Sequence, residues 1–101
     1  MGDNATAQSF QQIWAGFDSS INLADTSREL VALESALKAE ADNADQEASV
    51  TAVQEAAKAA AAGDGPSMLR YLSKAGKWAF SVAERIGVTL AAAVIKSAVG
   101  I

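Results

Sequence analysis

The sequence contains neither cysteine nor histidine, and these two absences exclude much of the chemistry open to a small protein. Without cysteine the chain forms no disulfide and offers no thiolate nucleophile, which is typical of proteins from reducing compartments. Without histidine it lacks the ordinary zinc ligand and the commonest general base. We therefore predict a protein that is not an enzyme and that carries no metal ion and no cofactor.

Long apolar runs are also missing. The N-terminal residues show neither the basic region nor the apolar region of a secretory signal peptide. Residues 78–101 are the most apolar part of the chain, but Glu84, Arg85 and Lys96 interrupt them, so we do not expect a membrane-spanning helix. These features predict a cytoplasmic location.

Proline is scarce, whereas alanine is abundant. The chain has one proline, and β-branched residues are sparse before its last third. Alanine has the highest helix propensity of all residues, and 101 residues is the usual length of one domain. We predict an all-α fold, a compact bundle of four or five helices in a single domain over residues 1–101, with residues 1–5 disordered.

Start and stop signals divide the chain into helical segments. The predicted helices cover residues 6–17, 23–41, 45–62, 66–75 and 77–99. Asn22 or Asp25 is the expected N-cap of the second helix, and the turn residues 63–66 separate the third helix from the fourth. Gly76 is typical of a helix end, whereas we expect the last helix to continue through Gly87.

The second helix has a clear division between apolar and polar positions. Leucine recurs at helical spacing and predicts the buried stripe. The charged residues predict the side that faces water. The leucines are Leu23, Leu30, Leu33 and Leu37, and the charged residues are Arg28, Glu29, Glu34, Lys38 and Glu40.

The long last helix has two distinct stripes. One is apolar and predicts a core-facing side; it contains Trp78, Val82, Ile86, Leu90 and either Ala93 or Val94. The other consists of small residues, which let a second helix approach closely; it contains Gly76, Ala79, Ala83, Gly87, Ala91 and Ala98. We predict that the small-residue stripe lies at the core of the bundle or at an interface between copies. Leucine at Gly87 or at Ala83 should then disrupt assembly, whereas Glu34→Ala should not.

The first helix concentrates three of the six aromatic residues. Phe10, Trp14 and Phe17 fall at steps of three and four, together with Ile13, and form one apolar face. Such a face is either a lid over the core of its own chain or a docking motif for a partner. We include these aromatic residues among the candidate interface positions.

Charge is distributed unevenly along the chain. Residues 1–64 hold eleven of the twelve acidic residues, and residues 65–101 hold five of the eight basic ones. One interpretation is that the basic last third packs on the acidic helices of its own chain or of a neighbour. The other is that residues 66–101 contact an anionic membrane. The net charge of −4 does not favour nucleic-acid binding.

No group of residues predicts a reaction. Ser35 and Lys38 have the Ser-X-X-Lys spacing, but the companion motifs of that chemistry are absent. The acidic residues of the 42–47 connector have the composition of a solvated loop. Arg70, Tyr71, Lys74 and Trp78 could hold a small anionic ligand, and this remains a minor alternative.

The last third also resembles a known module. Gly76, Trp78, Ile86 and Gly87, followed by an alanine-rich end, make residues 63–101 similar to a small helical module at the C-termini of bacterial conflict and abortive-infection proteins, including the AbiTii group. The resemblance implies an accessory or assembly role in phage defence and no catalytic residues. It leaves open whether the chain is a freestanding subunit or a domain of a larger protein.

From these observations we predict a non-enzymatic interaction or assembly module that associates with itself or with a protein partner. The alternative is a membrane-active effector that uses residues 66–101.

Overall fold

We analysed a computed structural model of the chain, which describes the backbone of residues 2–17 and 21–100 and the side chains of residues 10–17 and 21–100. Within these ranges the structure is all-helical and contains six α-helices, one or two more than predicted. They are α1 (Gly2–Phe17), α2 (Leu23–Glu40), α3 (Ala44–Ala61), α4 (Gly65–Leu72), α5 (Gly76–Ile86) and α6 (Thr89–Val99).

Helices α2 and α3 pair along their lengths and form the largest helix–helix contact. Their predicted bounds are confirmed to within one residue. Each helix begins at an asparagine whose side chain accepts a backbone N–H of the first turn: Asn22 accepts from Asp25 at 2.9 Å, and Asn43 accepts from Gln46 at 2.8 Å. These caps satisfy N–H groups that the helix itself leaves unpaired, so the chain enters both helices at defined residues.

Helix α4 begins at the predicted turn. The Asp64 carboxylate accepts the backbone N–H of Ser67 at 3.1 Å, and Pro66 lies in the first turn, where its missing N–H has no cost. The side-chain and backbone hydrogen bonds from Ser67 lower the pKa of Asp64 below its ordinary value of 3.8. The cap is therefore complete at neutral pH and is lost only when the carboxyl group is protonated in acid.

The last third corrects one prediction. The predicted break near Gly76 is confirmed, although α4 ends at Leu72 and Gly76 begins the next helix. The helix expected over residues 77–99 is divided at Gly87 into α5 and α6. Gly87 has φ +82°, in the left-handed region, and the N–H of Val88 donates to the carbonyl of Ala83 at 3.1 Å. This is the Schellman arrangement that ends a helix and redirects the chain. We call the Gly87–Val88 bend the elbow.

The core lies between the α2–α3 pair and the helices of the last third. Helix α4 packs on α3 and α6, α5 and α6 pack on α2, and α1 covers α4. The leucines predicted to be buried on α2 are confirmed at three of four positions, since Leu23 is only half-buried. The largest fully buried apolar side chains are Leu30, Leu33, Leu37, Val53, Met68, Leu69, Leu72, Val82, Val94 and Ile95.

In the part of the chain that the structure describes, no helix combines the length and the apolar character needed to cross a bilayer.

Candidate interaction site

The predicted small-residue stripe lies inside the chain. Ala79, Ala83 and Ala91 are fully buried in the chain's own core. Gly76 and Gly87 lie at helix ends with positive φ and are not in the middle of a helix. The stripe was predicted at the core or at an interface, and the structure places its alanines at the core. An interface role for these positions stays a prediction.

The aromatic face of α1 packs on the start of α4. Phe10 is buried, Trp14 and Phe17 are half-buried, and the rings of Trp14 and Phe17 lie 6.5 Å apart between centroids. The indole of Trp14 covers Gly65 so closely that a Cβ on Gly65 would overlap with the indole ring. Of the two interpretations of α1, this packing supports the lid. The docking role of the aromatic residues stays a prediction.

A contact that the sequence did not indicate joins α2 to the start of α6. Glu29 was predicted to face water, but it is half-buried, and its carboxylate accepts the backbone N–H of Ala91 at 3.0 Å. Helix α6 has no side-chain cap of its own. Glu29 therefore supplies this cap from 62 positions away, and its negative charge is favourable at a helix N-terminus.

We expect Glu29→Ala to lower the free energy of unfolding by about 1–2 kcal/mol, because the N–H of Ala91 loses its charged acceptor. Urea denaturation followed by circular dichroism measures this loss. The substitution should also increase the hydrogen-exchange rates of the α6 amides more than those of the α3 amides.

The control for this variant lies on the same helix. Glu34 forms an ion pair with the exposed Lys38 at 3.7 Å, and such surface pairs contribute a few tenths of a kcal/mol. Glu34→Ala should therefore leave stability nearly unchanged. Equal effects of the two substitutions would contradict the assigned capping role of Glu29.

Two further polar contacts tie helices together. The Ser49 hydroxyl is buried and donates to the carbonyl of Ala75 at 2.8 Å. This bond satisfies a backbone carbonyl in the turn between α4 and α5. The Ser27 hydroxyl donates to the carbonyl of Ala57 at 3.1 Å and joins α2 to α3. Both bonds connect residues far apart in sequence, so helical periodicity carries no signal for them.

The outer side of the α2–α3 pair carries an apolar groove. One section, of about 280 Å³, is lined by Val31, Ala57 and Ala61 together with longer polar side chains. A neighbouring section of about 410 Å³ shares Ser27 and Ala61 with it and extends to Leu23. We call these two sections the outer groove. Val31 lines the first section, is 52% exposed and, of the side chains that the structure describes, is the most exposed large apolar one.

The basic residues of the last third lie at the surface. Arg85 forms an ion pair with Glu40 of α2 at 3.1 Å, which agrees with the interpretation that this segment packs on acidic helices of its own chain. The candidate ligand residues do not all converge: the guanidinium of Arg70 lies 5.3 Å from the centre of the Tyr71 ring, whereas Lys74 is exposed and Trp78 half-buried.

Among the described residues, no group of three or more acidic side chains has the arrangement of a metal site. Every buried side-chain nitrogen and oxygen atom described has a hydrogen-bond partner. Comparisons with protein-family models, with curated proteins and with solved structures find no match to this chain.

Proposed function

We propose that this protein is a non-enzymatic assembly module that associates with a second copy of itself through the outer groove. The observation that carries the proposal is the exposure of Val31 in a groove lined by small residues. Small side chains allow two helix pairs to approach closely, because no bulky group holds their axes apart. A second copy seated in the groove would remove the exposed part of Val31 from water, which favours association.

The charges beside the groove support a second copy as the occupant. Glu34 of α2 and Lys58 of α3 line the same section of the groove as Val31. A two-fold axis through the groove brings the groove of one copy against the groove of the other, so that the same residues of both copies take part in the contact. Glu34 of one copy can then lie near Lys58 of its partner copy, and the reverse. Such ion pairs would fix how the two copies are oriented relative to each other, which an apolar contact alone does not do.

The experiment is solution mass by light scattering on a sizing column, at low and at high salt. We expect one defined oligomer for the native chain. Val31→Glu should raise the dissociation constant roughly 100-fold, because it places an unpaired charge at the centre of the contact. The fold should be unaffected, since Val31 is half in water.

Ala32→Glu is the matched control, because Ala32 is exposed on α2 and does not line the groove. It introduces the same charge one residue away and should leave the mass unchanged. A native chain that is monomeric at high concentration would contradict the proposal. A Val31→Glu chain that dimerises as strongly as the native chain would also contradict it.

The biological setting is a proposal that rests on the resemblance of residues 63–101 to the AbiTii-type module. We propose that the assembly serves bacterial phage defence. Loss of protection in a plaque assay with Val31→Glu, and full protection with Ala32→Glu, is the expected result.

The membrane alternative requires a large change in the structure of the chain. Residues 66–101 would have to leave the core, since Leu69, Val82 and Ile95 are fully buried in the described chain. Flotation with anionic vesicles at low salt tests this alternative. Vesicle binding by a chain that remains monomeric would favour it over assembly.

A further inference from the structure

We propose that this chain has a second folded form, a dimer in which α6 is exchanged between two copies. In this form the elbow straightens, α5 and α6 become one helix over residues 76–99, and each α6 occupies the α6 site of the other copy. The inference does not depend on the outer groove, because it concerns a different part of the molecule.

The sequence on both sides of the elbow is compatible with a continuous helix. Val82, Ile86 and Leu90 follow one another at steps of four, and the stripe continues across Gly87 without interruption. A straight helix would also pair the N–H groups of Thr89 and Leu90 with carbonyls of α5. In the bent form α6 begins without a side-chain cap of its own.

The apolar stripe is least buried at the elbow. Val82 and Val94, on either side, are fully buried, whereas Ile86 is 42% exposed and Leu90 is half-buried. Folding the chain back at Gly87 therefore buries Val82 and Val94 and leaves Ile86, between them, in contact with water. In an exchanged dimer the two straightened elbows lie next to each other, and Ile86 and Leu90 can pack across the two-fold axis.

The site that a straightened α6 vacates is complementary to the α6 of a second copy. At 1.5 Å per residue, a helix over residues 76–99 is about 36 Å long. The whole chain measures 34 Å along its longest axis. A straightened α6 therefore extends beyond its own globule and leaves an apolar site between α2 and α4. The surface complementary to that site is another α6. In the continuous helix the N–H of Ala91 pairs with the carbonyl of Gly87 and no longer with Glu29, so the bond from Ala91 to Glu29 belongs to the bent form alone.

Gly87 controls the balance between the two forms. Its φ of +82° is favourable for glycine and unfavourable for any residue with a Cβ. Alanine is also the better helix former in the straight form. Together these effects should favour the straight elbow by about 50-fold per chain. The dimer contains two elbows, so Gly87→Ala should lower its dissociation constant by about three orders of magnitude.

Thr89→Pro is the opposing variant. Thr89 is the first residue of α6, where proline is well tolerated, and Val88 has ψ 88°, outside the α region that proline disfavours for the residue before it. In a continuous helix the same proline removes a hydrogen bond and clashes with the preceding turn. Thr89→Pro should therefore leave the bent monomer intact and disfavour the straight elbow by about 100-fold.

The test combines these substitutions in a Val31→Glu background, so that association through the outer groove does not contribute. Each chain is refolded at high concentration and its mass is measured by light scattering. We expect Gly87→Ala to be dimeric, and both Thr89→Pro and the double variant Gly87→Ala/Thr89→Pro to be monomeric. A monomeric Gly87→Ala chain that folds normally would overturn the inference, and so would a double variant as dimeric as the single one.

Two further measurements keep the test decisive. Asparagine tolerates the left-handed region better than alanine does, so Gly87→Asn should give a smaller rise in dimer. If Gly87→Ala does not fold, a Gly87→Asn chain with no rise overturns the inference. Exchanged dimers formed from two differently tagged chains should not mix within hours unless they are first unfolded, and rapid mixing would show that α6 is not exchanged.

Discussion

Replacing Ala83 with leucine is expected to lower the free energy of unfolding by about 3 kcal/mol. Ala83 is fully buried on α5, and its carbonyl accepts the bond from Val88 that forms the elbow. A leucine side chain has no space there unless neighbouring side chains leave their preferred rotamers or α6 moves away. Against a total stability of about 5–15 kcal/mol for a domain, this is a large fraction.

Urea denaturation followed by circular dichroism measures this effect, and Ser81→Leu is its control. Ser81 is exposed on the same helix, so the same added volume should change stability by less than about 0.5 kcal/mol. This comparison also separates folding from assembly. From the sequence, leucine at position 83 was expected to disrupt assembly; the structure predicts that it acts first on the folding of each chain. An Ala83→Leu chain as stable as the native one would show that this position is not packed as described.

The second large effect is expected for Gly65→Ala. The new methyl group would overlap with the indole of Trp14, so the ring has to move and α1 loses its packing on α4. We expect a loss of about 2 kcal/mol. In a Trp78→Phe background, Trp14 is the only tryptophan, and its fluorescence should shift to longer wavelength as the ring becomes exposed to water.

Gly16→Ala is the matched control, because Gly16 lies on α1 and a Cβ there has nothing within 4 Å. Alanine is the better helix former, so this variant should be as stable as the native chain or up to about 1 kcal/mol more stable. A native-like fluorescence maximum and unchanged stability in Gly65→Ala would mean that α1 is not held by this contact.

The sequence by itself determined the helical class, the bounds of α2 and α3, and the turn before α4. These features depend on local signals, namely alanine propensity, the leucine stripe, and the cap and turn residues at positions 22–25 and 63–66. In α2 and α4 the capping side chain lies three residues before the N–H that it binds. Such short-range interactions can be inferred from neighbouring residues alone.

Only the tertiary structure decided the path of the last third. Helical periodicity across residues 77–99 is continuous, so the sequence alone favours one helix there. Glycine is compatible both with a helix interior and with the left-handed end of a helix. Whether the chain continues as a helix or bends at Gly87 depends on which apolar side chains each conformation buries. Bending at Gly87 lets Val82 of α5 and Val94 of α6 enter one core, and a straight helix would extend beyond the globule.

The candidate site depended on tertiary structure for the same reason. The bond from Ala91 to Glu29 and the bond from Ser49 to Ala75 connect helices that are distant in the chain. The exposure of Val31 follows from how α2 lies against α3. Periodicity identifies which face of a helix is apolar. It does not identify which apolar residue the packed helices leave exposed to water, because that depends on the positions of all their neighbours.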